Sequence, residues 1–265
     1  MVDLIEKFLR TFARRGRSII LAYDHGIEHG PADFMDNPDS ADPGYILKLA
    51  REAGFDGVVF QRGVAEKYYD GSVPLILKLN GKTGLYNGEP ISVANCSVEE
   101  AISLGASAVG YTIYPGSGYE WRMFEELRTI KRDALRFDIP LIIWSYPRGG
   151  KVTNETAPEV VAYAARIALE VGADAMKIKY TGDPKTFSWA VKVAGKVPVL
   201  MSGGPKTRTE EEFLRQVYGA IEAGALGIAV GRNVWQRRDA LKFARVLSEI
   251  VYGNKKVVEV LGGQS

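Results

Sequence analysis

Two lysines, Lys177 and Lys179, sit two positions apart in Asp174-Ala175-Met176-Lys177-Ile178-Lys179-Tyr180, a run that otherwise reads as a strand buried on both faces. Side chains alternate along a strand, so residues 175, 177 and 179 share one side while Asp174, Met176 and Ile178 share the other. Two like charges facing a barrel interior are costly to desolvate. A lysine desolvated beside a second cation has its pKa lowered, and the resulting free amine can attack a carbonyl and form a Schiff base. The same pair can instead act as counter-charges for phosphate or carboxylate on a bound ligand, and the segment alone does not choose between the two.

The elements that must position these lysines are short apolar runs alternating with helical patterns. The runs cover residues 18–24, 57–60, 75–79, 107–113, 140–144, 174–179, 197–201 and 226–230. Continuous apolar runs of this length, most of them followed by a helical pattern, are what parallel strands covered on both faces require. Apolar residues recur at helical spacing over 158–169 and 209–221. Gly54, Gly105, Gly172 and Gly224 each stand between a helical pattern and the next strand, where glycine takes a left-handed cap conformation at no steric cost. Eight βα units in a chain of 265 residues predict a single (β/α)8 TIM barrel, an α/β fold with residues 1–265 as one domain. A doubly wound open sheet would need a glycine-rich dinucleotide turn after the first strand, and Asp24-His25-Gly26-Ile27-Glu28-His29-Gly30 does not supply it. Gly, Pro and Asn crowd residues 69–97, which predicts an extended loop after the third strand. The apolar run from Val257 gives out in Gly262-Gly263 and predicts a frayed end.

In such a barrel the active site lies at the carboxyl ends of the strands. Asp24 ends the first strand, Lys78 and Asn80 lie on the third, and the fifth ends in Trp144-Ser145-Tyr146-Pro147-Arg148. By alternation Trp144, Tyr146 and Arg148 share a face, which would bring an aromatic wall, a phenol and a guanidinium to one volume; Trp144 and Tyr146 as plain barrel filling is the alternative. Ser202-Gly203-Gly204-Pro205 ends the seventh strand and Gly231-Arg232-Asn233 the eighth. Glycines there allow backbone amides to close on a phosphate, with Arg232 adding charge and a fork of donors. His25 and His29 flank Gly26 and Glu28, but the glycines and Pro31 break any helix that could fix three ligands, so no metal site is expected. Hydrogen bonding within the loop, or contact with a substrate phosphate, suits the two histidines better. Cys96 reads as a small buried filler.

Bulk properties exclude several classes of function. The 34 basic and 32 acidic residues fall in short mixed runs, giving a net charge of +2 and no continuous basic patch for a nucleic acid or an acidic membrane. No apolar run approaches the roughly 20 residues of a membrane span. A single cysteine excludes an internal disulfide and a multi-thiolate metal site. The amino terminus lacks a signal-peptide pattern, so a cytoplasmic location is expected.

Together, Leu21-Ala22-Tyr23-Asp24-His25-Gly26, Trp144-Ser145-Tyr146-Pro147-Arg148-Gly149, Lys177-Ile178-Lys179, Ser202-Gly203-Gly204 and Val230-Gly231-Arg232 resemble the archaeal-type class I fructose-1,6-bisphosphate aldolases, and the likeness runs from about Phe8 to Tyr252. The resemblance implies Lys177 as the Schiff-base lysine and Tyr146 as the acid/base. It implies Asp24 and Trp144 in the substrate pocket, and Arg148 with the two glycine loops on phosphate groups. It further implies a metal-independent, cofactor-free lyase of glycolysis and gluconeogenesis that acts on a phosphorylated sugar and forms a homo-oligomer, often a decamer. Lys179 and Asp24 would set the charge around the imine. A related Schiff-base synthase of a sugar or amino-sugar precursor is a second enzyme reading. A barrel that binds or isomerises a phosphorylated ligand without covalent chemistry is a third.

Overall fold

Every one of the eight apolar runs becomes a strand, and the strands close on themselves. The computed structural model describes residues 3–262, and its strands are β1 (Ser18–Ala22), β2 (Gly57–Gln61), β3 (Leu75–Lys78), β4 (Ala106–Ile113), β5 (Leu141–Ser145), β6 (Ala175–Ile178), β7 (Val199–Ser202) and β8 (Gly227–Val230). Each pairs in parallel with its sequence neighbour, and β8 pairs with β1 to close the barrel. The helices are α1 (Leu4–Phe12), α2 (Gly26–His29), α3 (Pro43–Glu52), α4 (Arg62–Tyr68), α5 (Val98–Ser103), α6 (Glu120–Arg136), α7 (Pro158–Glu170), α8 (Pro184–Val193), α9 (Glu210–Glu222), α10 (Arg232–Trp235), α11 (Ala240–Val251) and α12 (Val257–Gly262). No helix of the described residues is long and apolar enough to cross a membrane.

Two apolar layers follow from strand alternation. Ile19, Leu21, Val58, Val109, Ile143, Met176 and Val230 point outward and pack under the helices, while Ile20, Val59, Ile76, Ala108, Ile142, Ala175 and Leu200 fill the barrel itself. The amino-terminal mouth is plugged by α1, an element the apolar runs do not announce. Asp3 caps it by accepting from the Ile5 and Glu6 amides, and its Phe8 and Phe12 are fully buried in the inner layer. Gly57 makes that possible, because a Cβ there would meet the Phe12 ring at 2.8 Å.

The recurring helix-to-strand glycines have positive φ, from +67° at Gly54 to +97° at Gly224, as their capping role requires. After two of them an aspartate enters the amino-terminal rim: Asp56 accepts from the Ile19 amide at 2.9 Å, and Asp174 from the Leu141 amide at 2.9 Å and from Lys131. Residues 69–97 are partly regular, since Asn80–Gly81 and Val93–Ala94 form a small antiparallel pair at the base of a loop. The carboxyl-terminal run departs from expectation. Residues 257–262 form α12, with Val257 and Val260 buried against the outer core, so this segment is packed; Gly263 to Ser265 lie outside the described residues.

Candidate active site

At the carboxyl end of the barrel the inward side chains change from aliphatic to polar. Trp144 stands opposite Lys177 across the β5–β6 ladder, and Lys78 opposite Gly110 across β3–β4. A Cβ on Gly110 would lie 2.2 Å from Trp144 Cζ3, so glycine is what lets the indole lie across the barrel. Lys177 Nζ is 5.5 Å and Lys78 Nζ 5.6 Å from the centre of the Trp144 ring, both close enough for cation–π attraction. Lys177 is 3% exposed, and its amine makes no hydrogen bond to any described residue. Burial, reinforced by Lys78 and Arg232 and opposed by Asp24, pulls its pKa down to about 8. Against the ordinary lysine value this raises the free-amine fraction near pH 7 by roughly 300-fold.

The second cation of that arrangement is Lys78, not Lys179. Lys78 is also buried and its own pKa is lowered, first by burial. Strand pairing stops at Ile178, so alternation no longer constrains residue 179. The Lys179 amine instead reaches the Glu155 carboxylate in the β5–α7 connection, at the rim.

Tyr146 and Asp24 complete the inner group. The Tyr146 phenol lies 3.1 Å from Ser202 Oγ on β7, and burial raises its pKa well above the ordinary tyrosine value, so it is a neutral donor. For Asp24, burial alone would raise the carboxyl, but His25, Lys177 and Lys78 more than offset that and hold it below the usual range. His25 Nδ1 is 3.6 Å from Asp24 Oδ1, beyond hydrogen-bond distance. Burial, together with Lys177, Arg232 and His29, draws the His25 pKa down to about 4 against the pull of Asp24. Its ring stacks on His29 at 6.0 Å and lies against Trp235. Among the described residues, no three His, Cys, Asp or Glu side chains are grouped so as to hold a metal ion.

The two glycine turns are shaped by one side chain from α10. Asn233 Nδ2 donates to the Gly203 and Pro205 carbonyls, each at 2.8 Å, and its Oδ1 accepts from the Thr207 amide at 3.0 Å. Gly204 has φ +63° and open space where a Cβ would stand, so its backbone is presented to the cleft. Gly231 meets a packing need as well: a Cβ there would meet the Ala22 carbonyl at 2.6 Å and His25 Cε1 at 2.8 Å, so no side chain fits at this turn. Arg232 is anchored only loosely, with Nη1 3.8 Å from Asp33 Oδ2.

Six buried side-chain polar atoms among the described residues lack a hydrogen-bond partner; Asp24 Oδ1, His25 Nδ1 and Trp144 Nε1 belong to residues that line the cavity beside Lys177, and Asp33 Oδ2 and Arg232 Nε belong to the loose pair just described. Buried polar atoms are nearly always paired, so their concentration here points to a polar ligand that completes them.

Arg148 leaves the inner group for the rim. Its guanidinium lies over the Tyr114 and Tyr146 rings at 5.3 and 5.9 Å, donating from Nη1 to Glu28 and from Nε to Glu155, each at 3.2 Å. Glu28 also pairs with Lys82 at 3.2 Å. Strand alternation gives no sign of Glu28, Lys82 or Glu155, because all three lie in connections. Lys78 and Lys177 each carried a signal, a charge in an apolar run, but nothing in either run shows that the two meet at the same indole.

The family model for DeoC/LacD family aldolases matches residues 18–237. The class 1 fructose-bisphosphate aldolase of Thermoproteus tenax is 86% identical over 261 residues, covering 98% of this chain and 99% of the relative. That of Halobacterium salinarum is 47% identical, covering 94% and 96%. A solved archaeal fructose-1,6-bisphosphate aldolase, whose catalytic lysine is covalently bound to the carbinolamine intermediate of its substrate, superposes with a TM-score of 0.94 at 87% identity. The superposition covers 94% of this chain and 100% of that one.

Proposed function

Because the chain belongs to the DeoC/LacD family of aldolases, we propose that it is a class I aldolase that reversibly cleaves fructose 1,6-bisphosphate to dihydroxyacetone phosphate and glyceraldehyde 3-phosphate, with Lys177 as the amine that forms the imine. The observation that carries this is the buried, unbonded Lys177 amine, with its pKa drawn down to about 8 beside Trp144.

Lys177 Nζ adds to the C2 carbonyl, and the carbinolamine loses its hydroxyl as water when a proton reaches that oxygen. Tyr146, neutral and hydrogen-bonded to Ser202, is the donor. The phenolate left behind is stabilised by the iminium and takes the proton of the C4 hydroxyl as the C3–C4 bond breaks. The bonding electrons pass into the iminium, giving an enamine, and glyceraldehyde 3-phosphate leaves. Tyr146 then returns its proton to C3, and hydrolysis of the imine releases dihydroxyacetone phosphate. Asp24 balances the charge of Lys177 and Lys78 through these steps. Gly204 with Ser202, Gly203, Gly231 and Arg232 receives the phosphate next to C1. Arg148, with Lys179 at the rim, receives the phosphate at C6. His25 and His29, uncharged near pH 7, line the wall between Asp24 and Arg232 and donate hydrogen bonds without adding charge.

The assembly we propose is a homo-oligomer, a decamer, of chains that each form one domain. Its support is the large apolar side chains left exposed on the helices, with Tyr163 at 69%, Trp121 at 63% and Trp189 at 54%. Multi-angle light scattering tests it, and a monomer would refute it. A cytoplasmic location accords with a substrate whose two phosphates keep it inside a membrane.

Borohydride reduction in the presence of dihydroxyacetone phosphate tests the function. A covalent adduct on Lys177, located by mass spectrometry, is expected, with activity retained in the presence of a chelator. An adduct on Lys179, or activity lost to a chelator and restored by a metal, would overturn the assignment.

A further inference from the structure

The rim of the site is already occupied by anions of the protein's own. We propose that Glu28 and Glu155 are stand-in anions, holding the cations of the distal-phosphate site until a substrate phosphate displaces them, so that their exchange selects phosphorylated substrates. This rests on the assignment of Arg148 to the phosphate at C6.

Each carboxylate uses a single oxygen to bridge two cations. Glu28 Oε1 takes Arg148 Nη1 and Lys82 Nζ, both at 3.2 Å. Glu155 Oε2 takes Arg148 Nε at 3.2 Å and the Lys179 amine. The donors that a phosphate would recruit are therefore in place and satisfied, and the Arg148 fork is engaged on both Nε and Nη1. Burial works against ionisation of both carboxylates, yet Lys82 and Arg148 hold Glu28, and Lys179 and Arg148 hold Glu155, below the ordinary value. Both are therefore charged near pH 7. A phosphate of about −2 replaces the two carboxylates charge for charge, leaving the rim electrically unchanged on binding.

Space favours the exchange. The cavity bounded by Asp24, Glu28, Lys78, Trp144, Tyr146 and Lys177 holds about 50 Å³, and a separate cleft of about 470 Å³ lies beside Lys179 and the Gly203–Gly204 turn. Against the roughly 300 Å³ at which ligand pockets begin, the chamber around Lys177 is too small for a hexose chain while Glu28 walls it off. Glu28 lies in the four-residue helix α2 and Glu155 in the β5–α7 connection, so both can swing out without disturbing a strand. A substrate without the distal phosphate has nothing to exchange for the carboxylates and leaves the rim shut.

The test runs the enzyme in the direction of condensation, where dihydroxyacetone phosphate and glyceraldehyde 3-phosphate each bring one phosphate. Glu28→Gln and Glu155→Gln keep the shape and remove the competing charge. Each should lower KM for glyceraldehyde 3-phosphate by about three- to tenfold relative to KM for dihydroxyacetone phosphate, and the double variant should lower it further. A KM for glyceraldehyde 3-phosphate that is unchanged or raised in both single variants would overturn the proposal and make the carboxylates mere supports for Arg148. Arg148→Gln separates the two failures: if it leaves that KM unchanged, the assignment of the distal phosphate is itself wrong, whatever the glutamate variants do.

Discussion

Replacing Lys78 by Met tests the electrostatics of Lys177 without touching the nucleophile. The two amines each stand within 5.6 Å of the same indole centre, so they are no more than about 11 Å apart. At an effective dielectric of about 20, two unit charges at that distance repel by about 1.5 kcal/mol, or about one pKa unit. Met keeps the length and apolar body of the side chain and gives up one hydrogen bond, from Lys78 Nζ to the Asn80 carbonyl at 3.0 Å. The pKa of Lys177 should then rise from about 8 to roughly 9 or above. The assay is the rate of borohydride-trapped adduct formation from dihydroxyacetone phosphate between pH 6 and pH 10. Its midpoint should move up by about one unit, with trapping near pH 7 slower by roughly tenfold and the two proteins converging above the new midpoint. If the rate falls equally at every pH and the midpoint stays, Lys78 acts on the substrate and the like-charge explanation of the Lys177 pKa is refuted.

Four further outcomes follow from the same geometry. Tyr146→Phe should lower turnover by about 10²- to 10⁴-fold and slow borohydride trapping at Lys177 as well, because the phenol supplies the proton for dehydration; trapping at the wild-type rate would confine Tyr146 to the later proton transfers, and full turnover would remove it from the mechanism. Gly110→Ala should displace the Trp144 indole, lower stability by about 1–3 kcal/mol and shift tryptophan fluorescence, and a wild-type emission spectrum with full activity would contradict the contact at 2.2 Å. Gly204→Ala forces a side chain into a left-handed backbone at φ +63° and puts a methyl where the phosphate approaches, so KM for fructose 1,6-bisphosphate should rise severalfold at a cost of about 1–2 kcal/mol in stability, and an unchanged KM would exclude that loop from the phosphate. Lys177→Met should stabilise the fold. The native pKa of about 8 lies below the ordinary lysine value of 10.5, so the unfolded chain binds more protons between those two values and stability rises with pH across that window. Below pH 8 the buried amine costs about 3 kcal/mol. The gain in thermal midpoint should therefore be largest below pH 8 and vanish by about 10.5; a variant less stable than the parent throughout would disprove the desolvation cost.

The barrel was legible because the strands are buried on both faces and each carries its own signal, a short apolar run, with a glycine-capped helix before the next strand at Gly54, Gly105, Gly172 and Gly224. Boundaries differ from the observed ones by a residue or two, as between 226–230 and Gly227–Val230. What the runs do not encode is how the barrel is plugged. Phe8 and Phe12 sit on a nine-residue amphipathic helix whose apolar face looks like that of any surface helix, and only the closed sheet provides a mouth for it to fill. The same holds for α12, where Val257 and Val260 find a partner surface that the chain's last residues do not themselves advertise.

Within the site, legibility stops where one strand must be placed against another. Alternation along a single strand is enough to send Lys177 and Trp144 inward, and both go there. Applied one residue past the end of β6, the same rule sends Lys179 inward too, and there it fails, because alternation is a property of the paired strand and pairing ends at Ile178. The cation that does sit near Lys177 comes from β3, three strands away around the ring, and only closure of the barrel makes them neighbours. One residue did carry information about that packing. A glycine inside a β-branched strand marks a close approach by another group, and Gly110 lies between Val109 and Tyr111 with the Trp144 indole against it. Read that way, Gly110 predicts a large side chain from an adjacent strand crossing the barrel at its level. Of the inward residues on β5, the neighbour of β4, Trp144 is the one large enough to do so.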